Sequence, residues 1–163
     1  MSEVIVPEPR FVSLFGKYVV GWEVRTSNKK ESKPKKAKIP VIWERAREEE
    51  IAGQIPNATD PDVMLGVYTR YQSDDTGPYS LIVGMEVSDL DEIPRGMTGI
   101  TIRAQEYVVF TSKGEMRQAA TAGWAAAWKY FSETTALTRA FTTDFERYHS
   151  AKPGEVEIYV AVR

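Results

Sequence analysis

The chain has no cysteine, and that absence excludes disulfides, thiolate nucleophiles and thiolate zinc sites together. It has a single histidine, His149, inside Tyr-His-Ser-Ala-Lys-Pro-Gly. A catalytic imidazole needs an orienting partner and a nucleophile, and a transition-metal site wants more than one imidazole, so His149 is expected to be a turn-side residue and no metal is expected. Long apolar runs are also missing: nothing approaches the roughly 20 residues of a membrane span, and Met1 to Pro9 carries acids where a secretory leader would carry a basic stretch and an apolar run. A cytoplasmic protein without membrane contact is the expectation. An excess of positive charge is lacking too. The formal net charge is −2, and the one basic cluster, Lys29 to Lys38, has no aromatics or apolar period, so it reads as a solvated loop and not as a DNA contact. Glycine-rich phosphate loops are absent as well.

What is present suffices for a core, since 163 residues at 42% hydrophobic composition can bury an interior. The informative feature is an internal repeat. At a constant offset of 77 residues, Tyr68-Thr69-Arg70-Tyr71-Gln72-Ser73 lies over Phe145-Glu146-Arg147-Tyr148-His149-Ser150, Gly77 over Gly154, and Leu81, Val83 and Met85 over Ile158, Val160 and Val162. Each copy reads as a hairpin with a four-residue loop, Asp74 to Gly77 and Ala151 to Gly154.

Upstream of each hairpin lies an amphipathic helix. The first is expected from Ile39-Pro40 to about Ala52, with Ile39, Ile42, Trp43, Ala46 and Ile51 on one stripe. The second is expected from about Glu115 to Ser132, with Met116, Ala119, Ala120, Trp124, Ala127, Trp128 and Phe131 in a 3.6-residue period. β-Rich segments, Arg10 to Val24 and Gly99 to Phe110, open the two halves, and Ser88 to Gly96 connects them. The expected fold is α+β: a β-α-β-β unit written twice with pseudo-twofold symmetry, a mostly antiparallel sheet and two main helices on one face. One domain over 1–163 is expected, with half-repeats near 1–88 and 97–163.

Several stretches resemble the GyrI-like or SOUL-type effector-binding family, also found as the ligand domain of multidrug-responsive regulators of the AraC and MerR classes. They include Arg25-Thr26-Ser27-Asn28, Ile39-Pro40-Val41-Ile42-Trp43, Gly66-Val67-Tyr68, Tyr79 to Val87, Ile93-Pro94-Arg95-Gly96-Met97, Ala104 to Phe110, Asp144-Phe145-Glu146-Arg147-Tyr148 and Glu155 to Val160. Their order spans nearly the whole chain. The resemblance implies binding of a small cationic or amphipathic organic molecule in an aromatic cavity around one acid, which aligns with Glu146, and it implies no cofactor. It leaves open a protein partner, either a separate regulator or DNA gyrase, and an alternative as a small hydrolase using the pocket glutamate as general base. A second acid, an oxyanion motif and a metal set are missing for that alternative. The regulators also carry a helix-turn-helix region; the resemblance fills this chain, so direct DNA binding is not expected.

The residues reach the same acid. A four-residue second hairpin loop puts Glu146 opposite Tyr159, facing away from the helices, with Thr69 and Ile82 as the first-half pair. The expected ligand-binding set is Glu146, Tyr159, Tyr68, Trp43, Trp124 and Trp128. Trp124 and Trp128 are i, i+4 neighbours that also suit a core. The same register sets Tyr68 on the Leu81 and Val83 side, across the sheet from Glu146, a tension the sequence leaves standing.

Overall fold

A computed structural model describes residues 4–133 and 136–163; residues 1–3 of the acidic N-terminal stretch lie outside the described residues. The strands are β1 (Arg10–Leu14), β2 (Lys17–Thr26), β3 (Val63–Thr69), β4 (Tyr79–Val87), β5 (Thr98–Ile102), β6 (Gln105–Lys113), β7 (Thr143–His149) and β8 (Glu155–Val162). The helices are α1 (Asn28–Glu31), α2 (Ile39–Glu48) and α3 (Met116–Glu133), with one 3₁₀ turn, Ile51–Gln54. No helix among the described residues is long and apolar enough to cross a membrane.

All strand pairings are antiparallel, in the order β1-β6-β8-β7-β3-β4-β2-β5. The units β2-α2-β3-β4 and β6-α3-β7-β8 are therefore two copies meeting at the β3–β7 pair. Each opening strand crosses to the other copy: β1 joins β6, and β5 joins β2. Only Phe15 and Gly16 separate β1 from β2, strands at nearly opposite ends of the sheet order. Two linking residues span at most about 11 Å, so the sheet must curl until its edges approach. Facing glycines Gly21 and Gly84 accommodate the curl, because a Cβ on either would strike the backbone of the opposite strand.

Side-chain alternation sorts the interior into three clusters. Inside the curl, Val19, Leu65, Val67, Ile82, Tyr107, Phe145 and Tyr159 pack together. On the outer face, Val20, Trp22, Leu81, Val83 and Met85 pack beneath Ile42 and Ala46 of α2, while Val108, Phe110, Ile158 and Val160 pack beneath Ala119 and Ala127 of α3. The two helix-covered clusters leave a seam over β3 and β7.

Local chemistry sets the helix ends. Pro40 lies in the first turn of α2, and the Glu31 carboxylate accepts the Lys38 and Ile39 amides at 2.9 and 3.0 Å. The helix stops at Glu48, short of the expected Ala52, because Glu50 takes a left-handed conformation (φ 49°) and the chain re-enters as the 3₁₀ turn that buries Ile51. The basic stretch is largely exposed as expected, although Asn28 to Glu31 form one helical turn capped by Ser27.

The repeat register needs one correction. In the first hairpin Tyr68 pairs with Leu81, and in the second Glu146 pairs with Ile158. Taking β4 onto β8 requires an offset of 77, whereas β3 maps onto β7 at 78, so the second hairpin is one residue shorter and the repeat does not run without a gap. Its loop is the five-residue stretch 150–154, not four, and the first spans 70–78.

Candidate ligand site

That single residue decides the site. A one-residue slip moves a strand's whole side-chain set to the opposite face. Glu146 consequently faces the helices beside Tyr68, and Tyr159 faces into the curl. There Tyr159 stacks on Phe145 at 4.4 Å and meets Tyr107 edge-on at 5.9 Å. The expected Glu146–Tyr159 pairing is overturned, and so is the expected split between Tyr68 and Glu146.

Glu146 sits at the centre of β7, flanked by Gly66 of β3 and Ile158 of β8, and is 3% exposed. Its carboxylate accepts three hydrogen bonds from neutral donors. Tyr68 Oη and Trp124 Nε1 donate to Oε2 at 3.1 and 2.6 Å, and Tyr148 Oη donates to Oε1 at 2.8 Å. No ion pair among the described residues includes Glu146. Burial pushes its pKa above the ordinary value of 4.5, against the three hydrogen bonds that favour the charged form. Burial and the neighbouring carboxylate hold the Tyr68 and Tyr148 hydroxyls well above 10, which keeps both as donors.

Two residues away on the same strand face, Asp144 provides the contrast. It is fully buried, but Arg139 Nη2 donates to it at 2.8 Å, Tyr71 Oη at 2.6 Å and the Ala161 amide at 2.8 Å. Among the described residues Asp144 has a cation partner and Glu146 has none.

Around Glu146 opens a cavity of about 980 Å³ over the seam. Trp43 enters from α2, Trp124 and Trp128 from α3, and Tyr68, Tyr79 and Tyr148 from the sheet. Trp43 meets Tyr148 edge-on at 5.2 Å, Trp124 meets Tyr68 edge-on at 5.3 Å, and Trp128, 50% exposed, lies 6.5 Å beyond Trp124. Gly66 makes the seating of Trp43 possible, since a Cβ there would lie 2.7 Å from Trp43 Cζ2 and 3.1 Å from Glu146 Oε1. Of the six expected ligand residues, Glu146, Tyr68, Trp43, Trp124 and Trp128 thus line one cavity, and Tyr159 lies outside it.

Sequence reasoning missed Tyr148, Tyr71, Tyr79, Arg139 and Gly66. Period-two alternation from Glu146 points to Tyr148, but Arg139 has no local signal because it lies outside the strands. His149 Nδ1 accepts the Ala151 amide at 3.0 Å in the turn, and a ligand atom of its ring lies within 4.8 Å of carboxylate oxygens of Asp60 and Asp62, a grouping the linear sequence conceals.

Residues 10–162 match the model of the Cass2 family, described as integron-associated effector binding protein. The chain belongs to the Cass2 family. Its likeness to a solved member is close over the full length: the Vibrio cholerae integron cassette protein VCH_CASS2 is 34% identical, with 98% of this chain and 99% of that one covered and a TM-score of 0.83. YobU of Bacillus subtilis, described as a transcriptional regulator protein, is 28% identical over 152 residues, covering 90% of this chain and 92% of YobU. The fold of this Cass2 protein is shared by SAV2435, solved bound to tetraphenylphosphonium, at 18% identity and a TM-score of 0.78, with 96% and 94% of the two chains covered.

Proposed function

We propose that this Cass2-family protein binds a lipophilic organic cation, with Glu146 as counter-charge and Trp43, Tyr68, Trp124 and Trp128 as ring contacts. The observation that carries the reading is a buried carboxylate held by three neutral donors, without a cation partner among the described residues, on the floor of an aromatic cavity. A delocalised cation is weakly hydrated and enters such a site at small desolvation cost. Each favourable ring face contributes about 0.5–2 kcal/mol, and the carboxylate adds a Coulomb attraction strengthened by exclusion of water. The fixed hydroxyls and indole N–H keep the carboxylate oriented before the ligand arrives, so little reorganisation is needed on binding. The tetraphenylphosphonium bound by the fold relative SAV2435 is a cation of this chemical class.

The test is calorimetric titration of tetraphenylphosphonium into the wild type and Glu146→Gln. Equal affinities would remove Glu146 from the site and with it this reading. The likeness to YobU supports a regulatory context, and the proposal extends to an output through a second protein, a separate regulator or gyrase. A pull-down with and without tetraphenylphosphonium checks that output.

A further inference from the structure

The cavity is larger than one compact cation requires, and its walls continue away from Glu146. A chain of ring contacts runs from Trp124 to Tyr68 at 5.3 Å, on to Tyr79 at 5.7 Å, to Tyr71 at 5.8 Å and to Phe141 at 5.6 Å. It ends at Arg139, whose guanidinium lies 4.4 Å over the Phe141 ring and lines the same cavity as Glu146. One end of this aromatic wall thus holds an unpaired carboxylate, and the other end holds a guanidinium.

Arg139 is 92% buried, at 8% exposure, and its two partners differ. Nη2 donates to the fully buried Asp144 at 2.8 Å, a bond integral to the core. Nη1 donates to Asp75 at 3.2 Å, and Asp75 is 38% exposed on the 70–78 hairpin loop. The third nitrogen, Nε, is buried with no hydrogen-bond partner among the described residues. Asp75 is the exposed side of this pair, and the buried guanidinium keeps Asp144 throughout, so exchanging the Asp75 carboxylate for one from a ligand never leaves Arg139 without an anion. The loop has an independent anchor, since Asn28 Nδ2 donates to the Asp75 carbonyl at 2.9 Å. With the backbone held there, the 38% exposed Asp75 side chain has solvent to turn into when a ligand takes its place at Arg139.

We infer that the Arg139 end is a second subsite, in which Asp75 holds the place of an acidic oxygen group of the ligand. The ligand class is then an elongated amphoteric molecule, with an organic cation at Glu146 and a carboxylate at Arg139, spanned by apolar or aromatic structure along the Tyr68, Tyr79 and Tyr71 rings. This rests on the cation reading of Glu146 and narrows it. Discrimination arises because a ligand lacking the acidic group leaves Asp75 where it is, whereas one bearing it gains a charge-assisted hydrogen bond and releases Asp75 to water.

The probes are alkyltriphenylphosphonium ions of increasing tether length, each compared with its counterpart ending in a carboxylate. The quantity measured is the ratio of the two affinities. Asp75→Ala empties the place at Nη1 and raises the ratio in favour of the carboxylate by about tenfold at the matching tether length. Arg139→Gln, combined with Asp144→Asn so that no lone carboxylate is buried, lowers it by a similar factor. An unchanged ratio in Asp75→Ala, or equal loss for both probes in the Arg139 variant, overturns the subsite. Failure of the underlying cation reading is separately visible, because the plain alkyl probe would then bind the wild type and Glu146→Gln alike.

Discussion

Tyr68 and Glu146 are equivalent positions of the two halves, and they are hydrogen-bonded to each other at 3.1 Å across the pseudo-twofold axis that passes through the Val67–Phe145 pair. The duplication places the same backbone site on both sides of the seam, a phenol in one half and a carboxylate in the other. A symmetric pair of glutamates would repel in a buried space, and a symmetric pair of tyrosines would carry no charge. The divergence at this one pair gives the cavity a buried carboxylate with a donor already attached.

The pH dependence follows from the upward shift at Glu146. In the unliganded protein its pKa lies above 4.5; a bound cation favours the ionised form. Affinity for tetraphenylphosphonium therefore rises as pH increases through the raised pKa and levels off above it, with proton release on binding below that point. Titrations across acid to neutral pH check this, and Glu146→Gln is expected to be flat and weaker by roughly 2 kcal/mol, about thirtyfold, at neutral pH.

Stability of the unliganded protein moves the other way. A carboxyl whose folded pKa exceeds its unfolded value stabilises most at low pH, and that contribution is lost as pH rises from about 4.5 through the folded pKa. The melting temperature of Glu146→Gln should thus gain on that of the wild type as pH increases over this window. A difference that stays constant with pH would contradict the assigned burial.

Trp124→Phe keeps a ring beside Tyr68 but removes the indole N–H that donates to Glu146 at 2.6 Å. That bond favours the charged carboxylate, so its loss moves the midpoint of the pH-dependent binding upward and weakens cation binding several-fold at neutral pH.

Gly66→Ala places a Cβ 2.7 Å from Trp43 Cζ2 and 3.1 Å from Glu146 Oε1. Overpacking of this kind costs about 1–3 kcal/mol. The expected result is a lowered melting temperature together with displaced Trp43 emission and about tenfold weaker binding of a bulky cation, read by tryptophan fluorescence.

Tyr159→Phe and Phe145→Ala separate the inner face from the cavity. The first should leave cation affinity within about twofold, since Tyr159 lies across the sheet from Glu146 with no shared partner. The second deletes a fully buried ring and should lower stability by about 3–5 kcal/mol. A large loss of affinity in Tyr159→Phe would place the ligand inside the curl instead of over the seam.

The sequence by itself determined the local elements and singled out the acid that the structure buries at the cavity. Apolar periods marked α2 and α3, alternation marked the β4 and β8 strands, the repeat revealed two related halves, and the resemblance pointed to Glu146. These properties depend on neighbours a few residues apart, which a linear pattern records. Tertiary structure alone decided which face Glu146 occupies, because the length of one hairpin loop, five residues and not four, turned the strand by one position. It alone exchanged β1 and β5 between the halves, curled the sheet to meet that short connection, and brought Arg139 to the far end of the aromatic wall. Those outcomes hinge on strand register and chain closure, in which a difference of one residue reverses the face of every side chain on a strand.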